Sequence, residues 1–229
     1  MARKKKNIKS INIKLSGLLA SPAKSLSTKY SWINSEFQED DNGKYSVTLL
    51  VDKNSHSGSK VEEYFNDLMD DAYQEFEDFK DIPLGGDSHF KCAIADGDDE
   101  SHFKTYNEIY KGYYVITLKA SKKFKIIDKD GYPLKHDEVT EDDFYPGIVA
   151  TIQASLYYLN SGNVGVYTTL QRLKKNRDGE PLFDGYNTEI DLDLDEEDEE
   201  FFDNYFAEYE GGDWKSQESK EIFSNISTS

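Results

Sequence analysis

The chain has 229 residues, 37% of them hydrophobic and 14% aromatic, and a formal net charge of −18. That length suits one β-domain with insertions, or at most two small domains, and the 16 Tyr and 13 Phe of so polar a chain are more flat side chains than a modest core needs. The single cysteine, Cys92, excludes an internal disulfide and a Cys-rich zinc site, and no apolar run approaches the roughly 18 residues of a membrane helix.

The first residues, MARKKKNIKSINIKLSGLLASPA, have the outline of a signal peptide. Lys9, Asn12 and Lys14 break the stretch that would have to be apolar, so the segment reads as a basic arm entering a strand. Ile11, Ile13 and Leu15 alternate with Asn12 and Lys14, which is the period of a strand buried on one face. Residues 35–43 are polar and end in an Asn-Gly turn signal. Tyr45, Val47, Leu49 and Val51 give a second strand, and a polar loop is expected over 52–60.

From Val61 the period changes. Val61, Tyr64, Phe65, Leu68, Met69, Ala72, Tyr73, Phe76 and Phe79 follow helical spacing up to Pro83 and Gly85-Gly86, predicting an amphipathic helix. A long loop over 84–111 carries DGDDE at 96–100. Tyr114, Ile116, Leu118 and Ala120 then mark a third strand. Lys122, Lys123 and Lys125 follow, interleaved with Phe124. Ile148, Ala150, Ile152, Ala154 and Leu156 mark a fourth strand, and Val164, Val166 and Leu170 a fifth. The tally is a mainly β domain, a five-stranded OB-fold barrel with an amphipathic helix inserted between strands two and three. It should span residues 1–188. Residues 189–229 open with IDLDLDEEDEE and are expected to form an acidic, largely disordered tail, because such a block repels itself and has little to bury.

The charge is unevenly placed. Residues 189–229 hold 15 acids against 2 lysines, and residues 61–100 hold 14 acids against 2 lysines. The rest, 1–60 and 101–188, holds 23 basic and 16 acidic residues. Two local acidic segments therefore mask a mildly basic body. Unpaired nucleic acid needs a positive surface for phosphates and aromatic faces for bases. The out-of-phase residues of the last three strands, Tyr113, Thr117, Lys119, Thr151, Gln153, Ser155, Tyr157, Tyr167, Thr169 and Gln171, include no acid. Lys122, Lys123, Lys125, Arg172, Lys174 and Lys175 lie near strand ends. The expected interface is thus Tyr113, Phe124, Tyr157 and Tyr167 for stacking, with Lys14, Lys119, Lys122, Lys123, Lys125, Arg172 and Lys174 on phosphates.

Other chemistry finds less footing. Asp96, Asp98, Asp99 and Glu100 form a carboxylate cluster that a metal-dependent nuclease could use, but they share one stretch, lack a partner acid on a strand and do not have EF-hand spacing. His89, Cys92 and His102 have zinc-like spacing without a clear fourth ligand. No P-loop, GxSxG or GxGxxG is present. The expectation is a protein that is not an enzyme, with no catalytic residues, no metal and no cofactor.

Taken together, KYSVTLLVDK at 44–53, GYYVITLKASKKFKIIDKDGYPL at 112–134, FYPGIVATIQASLYYLN at 144–160 and VGVYTTLQRLKKNRDGEPL at 164–182 resemble a group of bacteriophage single-stranded DNA-binding proteins with an OB-fold. The likeness runs from about Ile11 to Gly185. It implies sequence-independent coating of single-stranded DNA in phage replication and recombination, in the cytoplasm of an infected bacterium, with no membrane role. It further implies a tail that competes with DNA and recruits replication proteins, here through Asp193, Asp195, Glu196 and Glu197 with Phe201 and Phe202 as an internal aromatic patch. The chain ends FSNISTS rather than in the terminal Phe of better-known binders. The alternative is an acidic protein-interaction or DNA-mimic protein that binds no DNA.

Overall fold

A computed structural model describes residues 10–33, 36–75, 84–86, 90–103, 107–159 and 164–182. All five expected strands form. They are β1 (Ser10–Leu19), β4 (Tyr45–Asp52), β7 (Tyr113–Ala120), β10 (Val149–Leu159) and β11 (Gly165–Arg177). Smaller strands join them: β2 (Tyr30–Ile33), β3 (Glu36–Glu39), β5 (Lys91–Cys92), β6 (Ile94–Asp96), β8 (Lys125–Ile127) and β9 (Pro133–Leu134). Among the described residues two α-helices are present, α1 (Lys24–Ser27) and α2 (His56–Glu75).

The expected five-stranded barrel needs correction. The main sheet has nine strands in the order β6-β7-β4-β1-β10-β11-β8-β9, with β5 on β11, and it is not closed into a barrel. The ends of the five-strand set approach each other through the short 91–96 segment. Ala93 donates its N–H to Val166 O at 3.0 Å and accepts from Thr117 N–H at 2.8 Å. Two- and three-residue strands carry too little alternation to be seen in sequence, which is why 84–111 reads as loop. Residues 35–43 likewise hide β3, which pairs antiparallel with β2.

Gly17 lets β1 pass close to β4. The strand pairs with β10 along its length and meets β4 at Leu18 and Leu19. A Cβ on Gly17 would lie 2.2 Å from the Leu50 carbonyl oxygen, so only glycine lets the strands approach this closely. Beside it, Ser16 donates its N–H to Ser57 Oγ at 3.0 Å, and its hydroxyl lies 2.7 Å from Thr151 Oγ1.

Helix α2 starts earlier than its apolar stripe suggests, inside the expected 52–60 loop. Ser55 Oγ accepts the Gly58 N–H at 3.1 Å, the side-chain bond of an N-cap. Val61, Phe65, Leu68, Met69 and Ala72 are buried against the sheet, while Glu62, Glu63, Asp67 and Asp70 are exposed. The acidity of this segment is therefore a solvated helix face. The core collects the in-phase residues of the long strands, among them Ile13, Leu15, Val47, Leu49, Ile116, Leu118, Ile152, Leu156, Leu170 and Leu173.

Candidate nucleic-acid interface

Register decides which side chains share the polar face. Ser10 pairs with Tyr157, and Tyr157 with Tyr167. Asn12 pairs with Ser155, and Ser155 with Thr169. Lys14 pairs with Gln153, Gln153 with Arg172, and Arg172 with Lys125. Directly paired residues point to the same side, so three rows cross the sheet, roughly 7 Å apart along each strand. None of these residues is a carboxylate. The last row sets Lys14, Arg172 and Lys125 across four strands, spanning roughly 14 Å at ~4.8 Å per gap. Between the rows, Gln171 donates to Ser155 Oγ at 2.6 Å, and Ser155 Oγ donates to Asn12 Oδ1 at 3.2 Å. Gln171 is the extra residue where the β10–β11 register shifts.

At the other end of this face, Tyr157 and Tyr167 stack with ring centroids 6.1 Å apart and planes 27° from parallel. They line a cleft of about 210 Å³ with Lys44, Lys91, Cys92, Ala93, Thr117, Lys119, Val166 and Thr168. Three strands deliver the lysines. Lys44 precedes β4 and is fixed by reciprocal backbone bonds to Tyr30, both 3.0 Å. Lys91 lies in β5 opposite Gly165, and Lys119 in β7 opposite Ser46. Burial lowers the Lys119 pKa, and the charges of Lys44 and Lys91 lower it further. Burial also raises the Tyr167 pKa, with Tyr157 adding to it. Both shifts describe a partly dehydrated cationic cleft with aromatic walls.

Of the residues expected from sequence, Lys14, Lys119, Lys125, Tyr157, Tyr167 and Arg172 lie on this face. The other five lie elsewhere. Tyr113 sits at the far end of β7, roughly 20 Å from Lys119 by strand rise. It is paired with Asp52, and burial and then Asp52 raise its pKa. Phe124 is buried, packed edge-on to Tyr45 at 5.7 Å and His136 at 4.8 Å. Its ring offers no face to a base. Lys174 is buried beside the polar pair Thr151 and Ser16. Thr151, expected on the outer face, is itself buried and accepts from Asn176 Nδ2 at 2.8 Å. Lys123 is exposed but lines a separate cleft with Lys29, Glu39, Asp40, Asp41 and Tyr45. Lys122 is exposed on the β7–β8 connection. Lys175 is engaged, donating to the Asp143 carbonyl and pairing with Asp178, each at 2.6 Å.

Sequence reasoning missed Lys44 and Lys91. Lys44 stands in phase with the outward Ser46, a signal that strand alternation already contained. Lys91 lies inside the acidic 61–100 segment, and nothing local marks it. The tail residues Asp193, Asp195, Glu196, Glu197, Phe201 and Phe202 lie outside the described residues, as does His89.

The DGDDE carboxylates have structural partners. Lys53 bridges Asp96 and Asp98, and Asp98 also accepts the Gly112 N–H at 2.9 Å. Those contacts, Lys53 first, hold the Asp98 pKa below the usual range. Asp99 caps the short helical turn Glu100–His102 through Ser101 N–H at 3.0 Å. The loop thus ties the β4–α2 turn to the β6–β7 hairpin. Among the described residues no group of three metal-ligating side chains converges.

The model of the family described as "Enterobacter phage Enc34, ssDNA-binding protein" matches residues 26–202, well over half of the chain. The chain belongs to this phage family. Two solved structures share its fold. The single-stranded DNA-binding protein from bacteriophage Enc34 matches with a TM-score of 0.56 at 18% identity, covering 77% of this chain and 87% of that one. The same protein in complex with ssDNA matches at 0.56 and 19%, covering 75% of this chain and 89% of that one. No curated protein matches the chain by sequence. The likeness explains why the fold is mainly β, with one large sheet and one long helix.

Proposed function

We propose that this protein binds single-stranded DNA across the outer face of β1, β10 and β11, without reading its sequence. The observation that carries the reading is the stacked Tyr157–Tyr167 pair beside Lys44, Lys91 and Lys119. A second cationic row, Lys14–Arg172–Lys125, lies roughly 13 Å further along β10, at Gln153. A strand laid between the two groups meets cations at both ends, aromatic faces at one, and Asn12, Ser155, Thr169 and Gln171 between. Family membership and the fold shared with the Enc34 proteins support the same reading.

The five long strands are read as an OB-type set in the order β7-β4-β1-β10-β11, with β8 and β9 as an extension. The biological setting is phage DNA replication and recombination in the cytoplasm of an infected bacterium, as a coating protein rather than an enzyme. The acidic segment 189–229 competes with DNA for the cationic face and recruits replication proteins. The test is fluorescence anisotropy of a labelled oligo-dT strand, titrated with the full chain and with a chain ending at residue 188, at two salt concentrations. Tight, salt-sensitive binding that strengthens on truncation is expected. Absence of binding by either chain at low salt would refute the DNA reading and favour the acidic protein-interaction alternative.

A further inference from the structure

We propose that the Lys119 amine captures abasic sites in bound single-stranded DNA as a reversible imine, a covalent activity built into the stacking cleft. The inference rests on the DNA-binding reading above and adds a chemical step to it. The environment of Lys119 differs from those of Lys24, Lys53 and Lys135. Lys24 is paired with Glu39, Lys53 with Asp96 and Asp98, and Lys135 with Glu138, and each of these amines has its pKa raised. The Lys119 pKa is instead lowered, by the burial of its surroundings first and then by Lys44 and Lys91, while the side chain itself stays open to solvent. Among the described residues no carboxylate lines its cleft. Partial dehydration and cationic neighbours are the means by which a lysine becomes nucleophilic near neutral pH, because only the unprotonated amine attacks a carbonyl.

The geometry supplies the partner. An intact nucleotide at the cleft covers it by stacking on Tyr157 and Tyr167. An abasic nucleotide has no base to stack, and its ring-opened deoxyribose exposes an aldehyde at C1′. The space of about 210 Å³ is smaller than typical ligand pockets of roughly 300–1,000 Å³ and suits a bare sugar. In the step, the Nζ lone pair attacks C1′, a carbon–nitrogen double bond replaces the carbonyl, and the oxygen leaves as one water carrying the two amine protons. Nothing is oxidised or reduced, and no co-reactant is required. Lys44 and Lys91, on the other walls of the cleft, hold the flanking phosphates.

The experiment incubates the full chain, at saturating concentration, with an oligonucleotide carrying one abasic site. Borohydride then reduces any imine to a stable amine, and the adduct is quantified on a denaturing gel and mapped by mass spectrometry. The expected result is an adduct mapping chiefly to Lys119. It should fall about tenfold or more in Lys119→Arg, whose guanidinium stays protonated and forms no imine, and persist in Lys111→Arg at the far end of β7. An adduct spread over many surface lysines in the unaltered chain, or one undiminished by Lys119→Arg, would overturn the proposal. Binding of the intact strand is measured alongside. Tight binding without an adduct removes only the imine step, whereas loss of intact-strand binding by the unaltered chain removes the DNA reading as well.

Discussion

Replacing Tyr167 by alanine is the sharpest test of where DNA lies. Tyr167 and Tyr157 are register partners on the outer face, with centroids 6.1 Å apart and planes 27° from parallel. A base stacked on a protein aromatic contributes roughly 1–3 kcal/mol by alanine substitution, so Tyr167→Ala or Tyr157→Ala should weaken binding about 5- to 150-fold. The two losses should not add. Each ring holds the other in place, and an aromatic pair is worth roughly 0.5–1.5 kcal/mol beyond its area. The double variant should therefore lose less than the sum by about that amount. Both rings lie outside the core cluster, so thermal melting should change little and separates a binding loss from unfolding. Tyr113→Ala is the control, because Tyr113 faces Asp52 at the far end of β7. It should cost less than ~0.5 kcal/mol of affinity. The assay is anisotropy of labelled oligo-dT at fixed salt. Single tyrosine variants that bind within about twofold of the parent, or a Tyr113 variant that loses as much as they do, would refute the assignment of this face.

Salt dependence counts the phosphate contacts. Lys119→Gln and Lys14→Gln should each flatten the log–log salt slope by ~0.7, whereas Lys53→Gln, on the carboxylate side of the fold, should leave it unchanged. Phe124→Ala should destabilise the fold by roughly 3–5 kcal/mol as a buried-ring deletion, seen as a lower Tm, with DNA affinity of the folded protein retained. His136→Phe strands the Leu26 and Phe124 carbonyls that now lie 2.6 and 2.9 Å from its ring nitrogens. The cost should be about 1–3 kcal/mol per orphaned group, measured by denaturant titration. The pKa of Asp98 is lowered by Lys53 and by the Gly112 N–H, so its contribution is present at neutral pH and is lost as pH falls below the ordinary carboxylate range. Tm against pH should fall in that acid window and fall less in Lys53→Met; an identical profile in the variant would discount the bridge.

The sequence by itself determined the long elements, because each runs long enough for its period to show. Ile13 and Leu15, Val47 and Leu49, Ile116 and Leu118, Ile152 and Leu156, and the Val61–Ala72 stripe all turn inward as their spacing requires. It also determined half of the candidate face, since the residues out of phase with a buried set must face outward. Lys119, Tyr157, Tyr167 and Lys14 follow from that rule, whereas Arg172 is in phase with the buried set and shares the face only because Gln171 is the extra residue at the β10–β11 register shift.

The tertiary structure decided what alternation could not. Phe124 stands outside any long strand, so no period assigns its face, and contacts with Tyr45 and His136 from distant parts of the chain draw it into the core. Thr151 keeps its outward phase but is buried, because its register partner Ser16 and the Asn176 side chain close over it. Lys44, Lys91 and Lys119 are separated in sequence and meet only because β5 pairs with β11 while β4 pairs with β7. The DGDDE acids read as a free cluster until Lys53 and Gly112 are folded onto them. Strand period is a local property fixed by neighbours two residues apart. A charged cleft is a non-local one, assembled by pairings between strands that the linear order leaves open.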